Sequence, residues 1–442
     1  MTNGKINKRR VARFIVEAMT PLAVGSGEGS VMTDSVVALD FRGLPYIPGT
    51  SLTGVLRHAV SGLSGVDRLF GKQDGIEASG SRIIISEARI VDFDGTVVDG
   101  IVKTPSRDLM SFYADNPVRQ HVCIGHKGVT EGTGKFDNQV VCKGTRFCFD
   151  MECILDEIDD EKLFNDVISV VIGPGLRVGG GVRKGYGRLE VRVFNDKVYD
   201  LDVKEQMDEY FEHSSKLTAP VMSDDERGKD DERGKVDKRH KSYQLKLSPE
   251  DFVFFGSGLG NENADSMALA ERYVHWVGNK GTPEMALVFP GSSIKGAFAH
   301  RFRYWFNVKD SSGKGDEASR ILFGYVQGGN QVPGLMYFED VILPDDDHVR
   351  KKVFNHVKID RFTGGSFPGA LYNEEAVFMK DVPFELIFAL DQDELEIRCA
   401  RQGVDRANIE KAIDLVIRDI EEGLLPLGGL TNRGHGCFKS VK

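Results

Sequence analysis

The sequence predicts an α+β protein made of two tandem domains that arose by internal duplication. A chain of 442 residues is too long for one ordinary core and fits two domains of about 200 residues each. The same series of strand-like runs, glycine motifs and one amphipathic helix also occurs twice in the same order. The hydrophobic fraction of 40% and the charged fraction of 28% suit a packed core in each half.

The composition argues against several classes of protein. The 67 acidic residues outnumber the 57 Lys and Arg, and the net charge of −10 argues against a protein that coats nucleic acid without a defined groove. A local basic groove is still compatible with this charge. No apolar run is long enough to span a bilayer, and the N-terminus lacks the pattern of a secretory signal. The six cysteines show no CxxC pair or zinc spacing. We therefore expect a cytoplasmic protein with reduced thiols.

A charged segment separates the two predicted domains. The hexapeptide DDERGK occupies residues 224–229 and again 230–235, with almost no apolar residue nearby. Such a segment cannot bury a core, and it predicts a flexible linker over 213–242. The first domain is then 1–212 and the second 243–442.

Each domain begins with matching landmarks. A strand-like run at 13–18 precedes the GSG of 25–27, and the run at 243–247 precedes the GSG of 256–258. Asp34 and Asp265 each lie seven residues after the last glycine of their GSG. The motif IPGTSLTG at 47–54 then matches FPGSSIKG at 289–296. This repeated order predicts that the two halves place these residues equivalently.

The Pro-Gly motifs predict the start of a helix and a contact with phosphate. Proline ends the strand, Ser or Thr can cap the helix, and free N–H groups at a helix start favour an anion. An ordinary capped helix explains either copy alone equally well. The residues assigned here to RNA binding are Pro48, Gly49, Thr50, Ser51 and Arg57 in the first copy, and Gly291, Ser292, Ser293 and Lys295 in the second.

Both domains close with a glycine-rich stretch that carries positive charge. Such loops allow close approach of the backbone to a phosphate, and their repetition strengthens a signal that is weak in one copy. The RNA-binding residues assigned here are Gly179, Gly180, Gly181, Arg183, Lys184 and Arg188 in the first half, and Gly428, Gly429 and Arg433 in the second.

A long hairpin with a glycine-rich tip is predicted before each closing segment, at 121–154 and at 356–388. In the second hairpin, Lys358 and Arg361 can hold phosphate and Phe362 can stack on a base.

Together these motifs resemble the RAMP superfamily, and within it the repeated backbone subunits of type III CRISPR complexes. The resemblance covers nearly the whole chain outside the linker and local insertions. It implies two ferredoxin-like (RRM-like) cores, each with a projecting thumb hairpin. It also implies binding to crRNA and target RNA beside other type III effector subunits, with the fusion resembling the III-D and III-E branches.

The resemblance further implies cleavage of target RNA by an aspartate on a loop before the Pro-Gly motif, with Mg²⁺ or Mn²⁺. Asp34 matches this position, fourteen residues before Pro48, and is the implied metal-binding and catalytic residue. Asp265 is the second implied catalytic residue because it fits when counted from its GSG. It lies 25 residues before Pro290, however, and the extra residues would move it away from the target if they lengthened the loop.

Two alternatives stay open at this stage. The chain can be a crRNA scaffold with both aspartates inert, or a crRNA-processing endoribonuclease with a His-centred, metal-independent site. A metabolic phosphate-binding enzyme is disfavoured because the sequence lacks GxxxxGK[ST].

Overall fold

The computed structural model describes most of the chain, and everything below concerns these residues: 8–27, 29, 33–74, 77–98, 103–125, 130–155, 158–216, 240–327, 330–379 and 382–441.

The first half contains nine strands and five helices within the described residues. In chain order they are β1 Lys8–Ala18, α1 Gly49–Ala59, α2 Val66–Phe70, β2 Lys72–Asp74, β3 Glu77–Ser79, β4 Ile83–Ile85, β5 Arg89–Ile90, α3 Arg107–Tyr113, β6 Val118–Ile124, β7 Thr130–Gln139, β8 Arg146–Leu155, α4 Ile158–Ile172, β9 Leu189–Asp200 and α5 Lys204–Lys216. A 3₁₀ turn at Val182–Lys184 lies in the closing glycine-rich loop.

The second half repeats this order with additional strands. Its elements are β10 His240–Pro249, β11 Phe252–Val253, β12 Ser266–Met267, β13 Ala270–Val277, β14 Lys280–Phe289, α6 Gly291–Lys309, α7 Gly315–Phe323, β15 Gly324–Gln327, β16 Asn330–Pro333, β17 Met336–Phe338, β18 Val341–Pro344, β19 Arg350–Ile359, β20 Ser366–Phe378, β21 Phe384–Asp391, α8 Gln392–Gln402, α9 Arg406–Glu421 and β22 Phe438–Ser440. The matching 3₁₀ turn is Thr431–Arg433.

Each half is built on one antiparallel core sheet. The spatial order is β4-β8-β1-β9 in the first half and β17-β21-β10-β22 in the second. Numbering the four strands by chain order gives 4-1-3-2 in both sheets, which is the order of a ferredoxin-like core. The predicted α+β class with two ferredoxin-like modules is confirmed.

Alternate residues of the central strands are buried and form the core of each half. In β1 the residues Ala12, Phe14 and Val16 are fully buried, as expected for a strand with one face on a core. The ring of Phe14 stacks between those of Phe149 and Phe194 on the neighbouring strands, at centroid distances of 5.2 and 5.0 Å.

The long helix of the second half follows the helical period. Phe298, Phe302 and Phe306 stand four residues apart in α6 and are all fully buried. Because residues at i and i+4 lie on one helix face, these three rings form the stripe that packs on the second core. The helix ring of Phe298 meets those of Phe338 and Phe388 on the sheet, each at 5.3 Å.

In each half a β-hairpin projects from the core. In the sequence it comes before the last two strands of the core sheet. It is formed by β6 and β7 in the first half and by β19 and β20 in the second. The predicted hairpin spans of 121–154 and 356–388 were too long, because 146–155 and 384–391 are central strands of the core sheets. Their alternation reflects burial in the core, which a sequence pattern cannot distinguish from a hairpin strand.

The predicted linker at 213–242 falls mainly on 217–239, which lie outside the described residues. Its first four residues end α5, and its last three belong to β10.

A buried ion cluster joins the two halves. The guanidinium of Arg119 on β6 donates to both carboxylate oxygens of Glu271 on β13, at 2.6 and 2.7 Å, and to Asp340 at 2.5 Å. The Arg119 side chain is 3% exposed, and that of Asp340 is fully buried. Arg177 and Arg188 both bind Glu339, at 2.6 and 2.7 Å. We call this contact between the halves the seam.

Backbone and aromatic contacts extend the seam. The Val274 N–H donates to the carbonyl of Lys143 at 3.0 Å. The indole N–H of Trp276 donates to the carbonyl of Gly144 at 2.6 Å, and the Arg146 guanidinium lies 3.9 Å from the indole ring centre. These residues of β13 belong to the insertion that distinguishes the second half, so the insertion forms part of the seam.

Among the described residues, no helix combines the length and the apolar character needed to cross a membrane.

Candidate nucleic-acid interface

Asp34 lies exposed on a loop that is attached to the base of the first hairpin. Its backbone N–H donates to Oδ1 of Asp137 on β7 at 2.8 Å, and its own Oδ2 accepts from the backbone N–H of Asp137 at 3.0 Å. The loop continues beside the strand, where Ser35 forms a parallel bridge with Asn138. One oxygen of each carboxylate is left outside this reciprocal pair.

Asp265 occupies the equivalent place in the second half. Its N–H donates to Oδ1 of Asn373 on β20 at 2.7 Å, and its Oδ2 accepts from the Asn373 N–H at 2.9 Å. Ser266 again pairs in parallel with the next residue of the hairpin strand, Glu374. The longer spacing to Pro290 therefore does not move Asp265, because the extra residues form β13 and β14 instead of lengthening the loop.

The carboxylates around Asp34 are compatible with a magnesium-type ion. Mg²⁺ keeps several waters and is commonly held by one or two carboxylates together with substrate phosphates. Asp34 provides one exposed carboxylate, and its hairpin partner is the carboxylate Asp137 where the second half has the amide Asn373 beside Asp265. Within the described part of the chain, no group of three or more Asp, Glu, His or Cys is arranged to hold a metal. A metal at either site would thus need further oxygen ligands from a bound phosphate or from water.

The Pro-Gly motifs start helices as predicted, but the hydroxyl residues do not cap them. Pro48 and Pro290 are the N-cap residues, and neither α1 nor α6 has a side-chain cap hydrogen bond. The expectation of a Ser or Thr cap was wrong, because these residues fall inside the first helical turn. The Gly291 N–H instead donates to Oδ1 of Asp340 at 2.7 Å, which connects the helix start to the seam.

Close packing explains the glycine of both motifs. A Cβ atom on Gly49 would lie 2.5 Å from the carbonyl oxygen of Ile85, and one on Gly291 would lie 2.6 Å from that of Phe338. Both helix starts are therefore pressed against the second core strand, while Thr50 and Ser293 next to them are exposed.

The closing loops have the same backbone in both halves. Gly179 and Gly428 have φ of +91° and +99°, and the following glycines donate to the carbonyls of Ala23 and Phe254 at 2.7 and 2.6 Å. Each closing loop thus crosses the chain just before the GSG. Leu430 has φ of +59°, a left-handed conformation that costs a non-glycine residue about 1–2 kcal/mol.

A side-chain stack that sequence reasoning missed lies at the base of the first hairpin. The His121 ring stacks on the Phe136 ring at 4.9 Å, and the Lys184 ammonium lies 4.5 Å from the centre of Phe136. Burial and the nearby charge of Lys184 lower the pKa of His121 to about 4. The ring is therefore neutral at physiological pH.

The second half repeats this stack. The rings of His356 and Tyr372 stack at 5.0 Å, and the Arg433 guanidinium lies 5.5 Å from the centre of Tyr372. Arg433 also pairs with the buried Glu374 at 3.3 Å. In the first half the described residues offer no carboxylate partner to Lys184, so its charge is available to a ligand. This repetition within the hairpins was the signal that could have revealed both stacks.

The seam brings the closing loop of the first half to the helix start of the second. The 3₁₀ turn Val182–Lys184 packs against β17 and α6. Burial, together with the charges of Lys184 and Arg183, lowers the pKa of Lys295 to about 8. Arg183 donates to the hydroxyl of Tyr337 at 3.3 Å, and its buried Nε has no hydrogen-bond partner among the described residues. We call Arg183, Lys184 and Lys295 the seam cluster.

The seam cluster has the properties of an anion site. Three cations lie close together, two of them with pKa lowered by burial, and no described carboxylate forms an ion pair with any of the three. Such a cluster is unfavourable without a counter-charge, and a phosphate supplies both charge and acceptor oxygens. Sequence reasoning had assigned these residues to separate motifs.

Other predicted RNA-binding residues lie elsewhere. Arg188 is engaged with Glu339 in the seam, and Arg57 pairs with Asp67 on the exposed side of α1 at 2.9 Å. Phe362 is fully exposed at the tip of the second hairpin. Lys358 lies over the Phe367 ring at 4.9 Å near that tip, and Arg361 is also exposed there.

The family model of the RAMP superfamily matches two regions of the chain, 15–190 and 276–439, one in each half and together more than half of its length. No curated protein matches the chain.

Proposed function

Because the chain belongs to the RAMP superfamily, we propose that it is a crRNA-binding backbone subunit of a type III CRISPR effector complex in the cytoplasm. In this role it positions the guide and cleaves the paired target RNA with the help of a divalent metal. Family membership supports the coarser statement, a CRISPR-associated crRNA-binding role.

The observation that carries the RNA-binding proposal is the seam cluster. Arg183 and Lys184 come from one half and Lys295 from the other, so the site exists only when the two modules pack together. A phosphodiester backbone passing from one module to the next would place a phosphate there, beside the start of α6. The acidic net charge is then consistent with binding in a narrow groove.

The hairpin strand supports a separation of guide and target. In β7, Phe136 lies under Lys184 while the next residue, Asp137, holds Asp34. In β20 the consecutive residues Tyr372 and Asn373 have the same two roles. Because consecutive strand residues project to opposite faces, each hairpin divides a cationic side from an aspartate side. We assign the guide to the cationic side and the target to the other.

For cleavage we propose that the exposed carboxylates of Asp34 and Asp265 act on the target. In each case one oxygen orients the 2′-hydroxyl for attack on the adjacent phosphorus and accepts its proton. The bond to the 5′-oxygen breaks, leaving a 2′,3′-cyclic phosphate and a 5′-hydroxyl that takes a proton from water. A bound Mg²⁺ or Mn²⁺ would neutralise charge on the phosphate and would be held by Asp34 in the first half.

A partner subunit is proposed on the free face of the first half. Gly49 and Gly291 pack on equivalent strands, so that Glu87 corresponds to Asp340. Asp340 is covered by Arg119 of the other half, whereas Glu87 is exposed and pairs with Arg89 at 2.9 Å. A neighbouring effector subunit with a basic hairpin base would complete this face as the first half completes the second.

Salt-dependent binding tests the RNA-binding proposal. We would measure the affinity of the chain for labelled single-stranded RNA between 50 and about 300 mM salt, for the wild type, Lys184→Ala and Lys295→Ala. Each loss of a phosphate contact should lower the slope of log K against log salt by about 0.7. Lys411→Ala, an exposed lysine on α9, is the matched control and should leave the slope unchanged. Equal slopes in all four proteins would exclude the seam cluster from the RNA path.

Cleavage by the assembled, crRNA-loaded complex tests the second part. With Mg²⁺, Asp34→Ala and Asp265→Ala should each remove a different product, and the double variant should remove both. Asp347→Ala, an exposed aspartate near the end of β18, serves as control. Unchanged products in the double variant would leave an inert crRNA scaffold, and metal-independent cutting of precursor crRNA by the chain alone would favour the processing endoribonuclease.

A further inference from the structure

We propose that Asp137 and Asn373 are positioning residues, which hold the aspartate loops in the orientation needed for cleavage. This inference rests on the proposed cleavage by Asp34 and Asp265. It concerns the residues on the hairpins, for which the sequence motifs offered no role.

The geometry is the same in both halves although the surrounding sequence differs. Four hydrogen bonds of 2.7–3.0 Å form two reciprocal pairs, each between an aspartate and a hairpin residue more than 100 positions later. Gly29 and Gly260 lie in the same two loops, where a Cβ atom would come within 3.0 Å of the carbonyl oxygen of Asp34 and 2.7 Å of that of Asp265. A reciprocal pair that survives both duplication and an insertion is an organised feature of the site.

Few side chains can replace the hairpin residue in this arrangement. Its Oδ1 must accept a hydrogen bond from the loop N–H, and its own N–H must donate to the aspartate carboxylate. Asp and Asn both provide this acceptor at the same distance from the backbone, whereas Ala provides none. The two halves are thus natural isosteric variants of one arrangement.

The reciprocal pair limits the freedom of the reacting group. One carboxylate oxygen is held by the strand, so the other is presented in a fixed direction toward the substrate. Without the acceptor, the loop N–H loses a hydrogen bond and the aspartate can adopt other rotamers. Since displacement of a reacting group by about 1 Å can cost about 100-fold in rate, we expect the truncations to lower the cleavage rate by about 10- to 100-fold.

The test uses the assembled complex with crRNA, target RNA and Mg²⁺ in single-turnover conditions. Asp137→Ala should slow the product that depends on Asp34 by about 10- to 100-fold and leave the Asp265 product unchanged. Asn373→Ala should do the reverse. The exchanged variants Asp137→Asn and Asn373→Asp should stay within about threefold of the wild type. The undisturbed product in each variant shows that the complex is assembled.

A second readout does not depend on activity. Hydrogen exchange of the amides of Asp34 and Asp265, measured on the chain alone, should accelerate at least tenfold in the matching alanine variant and stay slow in the exchanged variant. If the hairpin residue only stabilised the fold, the effect of the alanine variant would not be confined to one amide in hydrogen exchange and to one cleavage product.

The outcomes separate the inference from its premise. If Asp34→Ala cleaves like the wild type, the proposed cleavage fails, and the positioning role fails with it. If Asp34→Ala is inactive while Asp137→Ala keeps full rate and slow exchange, only the positioning role is overturned. If Asp137→Asn is as slow as Asp137→Ala, the negative charge of Asp137 is what matters, which also contradicts the inference.

Discussion

Replacing Arg119 by methionine should destabilise the contact between the two halves. Met keeps much of the apolar stem of the arginine but removes the only guanidinium that the described residues place between Glu271 and Asp340. Two buried carboxylates would then face each other without a cation. Since Asp340 also accepts from the Gly291 N–H, the start of α6 should be disturbed as well.

The expected magnitude follows from burial. The Arg119 side chain is 3% exposed and its partners 8% and 0%, and removal of one member of a buried ion pair costs about 3–5 kcal/mol. An exposed pair is worth about 0–1 kcal/mol. Arg303 and Asp316, at 2.7 Å with side chains 46% and 56% exposed, form such a pair, so that Arg303→Met is the matched control.

Urea unfolding followed by tryptophan fluorescence measures this effect. The chain has two tryptophans, and Trp276 lies in the seam under Arg146. In a Trp305→Phe background Trp276 reports on the seam alone, while circular dichroism reports on the core sheets. In Arg119→Met the Trp276 transition should occur at lower urea, with a free energy of unfolding about 3–5 kcal/mol smaller.

The pH dependence of the stability loss tests the same explanation. Burial raises the pKa of Asp340 even with Arg119 present. Without Arg119 the Asp340 carboxylate should take up a proton more readily, and the loss of stability should be smaller at pH 5 than at pH 8. The reasoning is refuted if Arg119→Met loses no more free energy than Arg303→Met, or if its loss is independent of pH.

Three further predictions concern single residues. Because the pKa of Lys295 is lowered to about 8, RNA affinity at constant salt should fall as pH rises from 7 to 9.5. Lys295→Met should reduce this fall in a fluorescence anisotropy titration, and equal pH profiles would contradict the prediction. Because the pKa of His121 is lowered to about 4, the fold prefers the neutral ring and should lose stability as pH drops from about 6.5 to 4. His121→Asn should reduce that loss in urea midpoints, and an unchanged profile would speak against it. Gly291→Ala places a Cβ 2.6 Å from the Phe338 carbonyl and should cost about 1–3 kcal/mol, whereas Gly296→Ala in the same helix has open space and should gain about 0.5–1 kcal/mol.

Much of the architecture could be predicted from the sequence because its signals are local. Proline and glycine mark where strands end and α1 and α6 begin, and the period of two or four marks the buried faces of β1 and α6. Repetition of these signals established the duplication, and the motifs established the resemblance to the RAMP superfamily, which the family match confirmed. The distance of Asp265 from its GSG predicted a position equivalent to that of Asp34, which the structure has. Its longer distance from Pro290 suggested that Asp265 is displaced, which it is not.

Only the tertiary structure decided how these elements meet. Asp34 binds Asp137 across 103 positions, and Arg119 binds Asp340 across 221. Such pairs form only when the core sheet and the seam close, so nearest-neighbour propensities contain no information about them. For the same reason, the sequence assigned Lys184 and Lys295 to two separate motifs. The packing of one half on the other makes them one basic cluster.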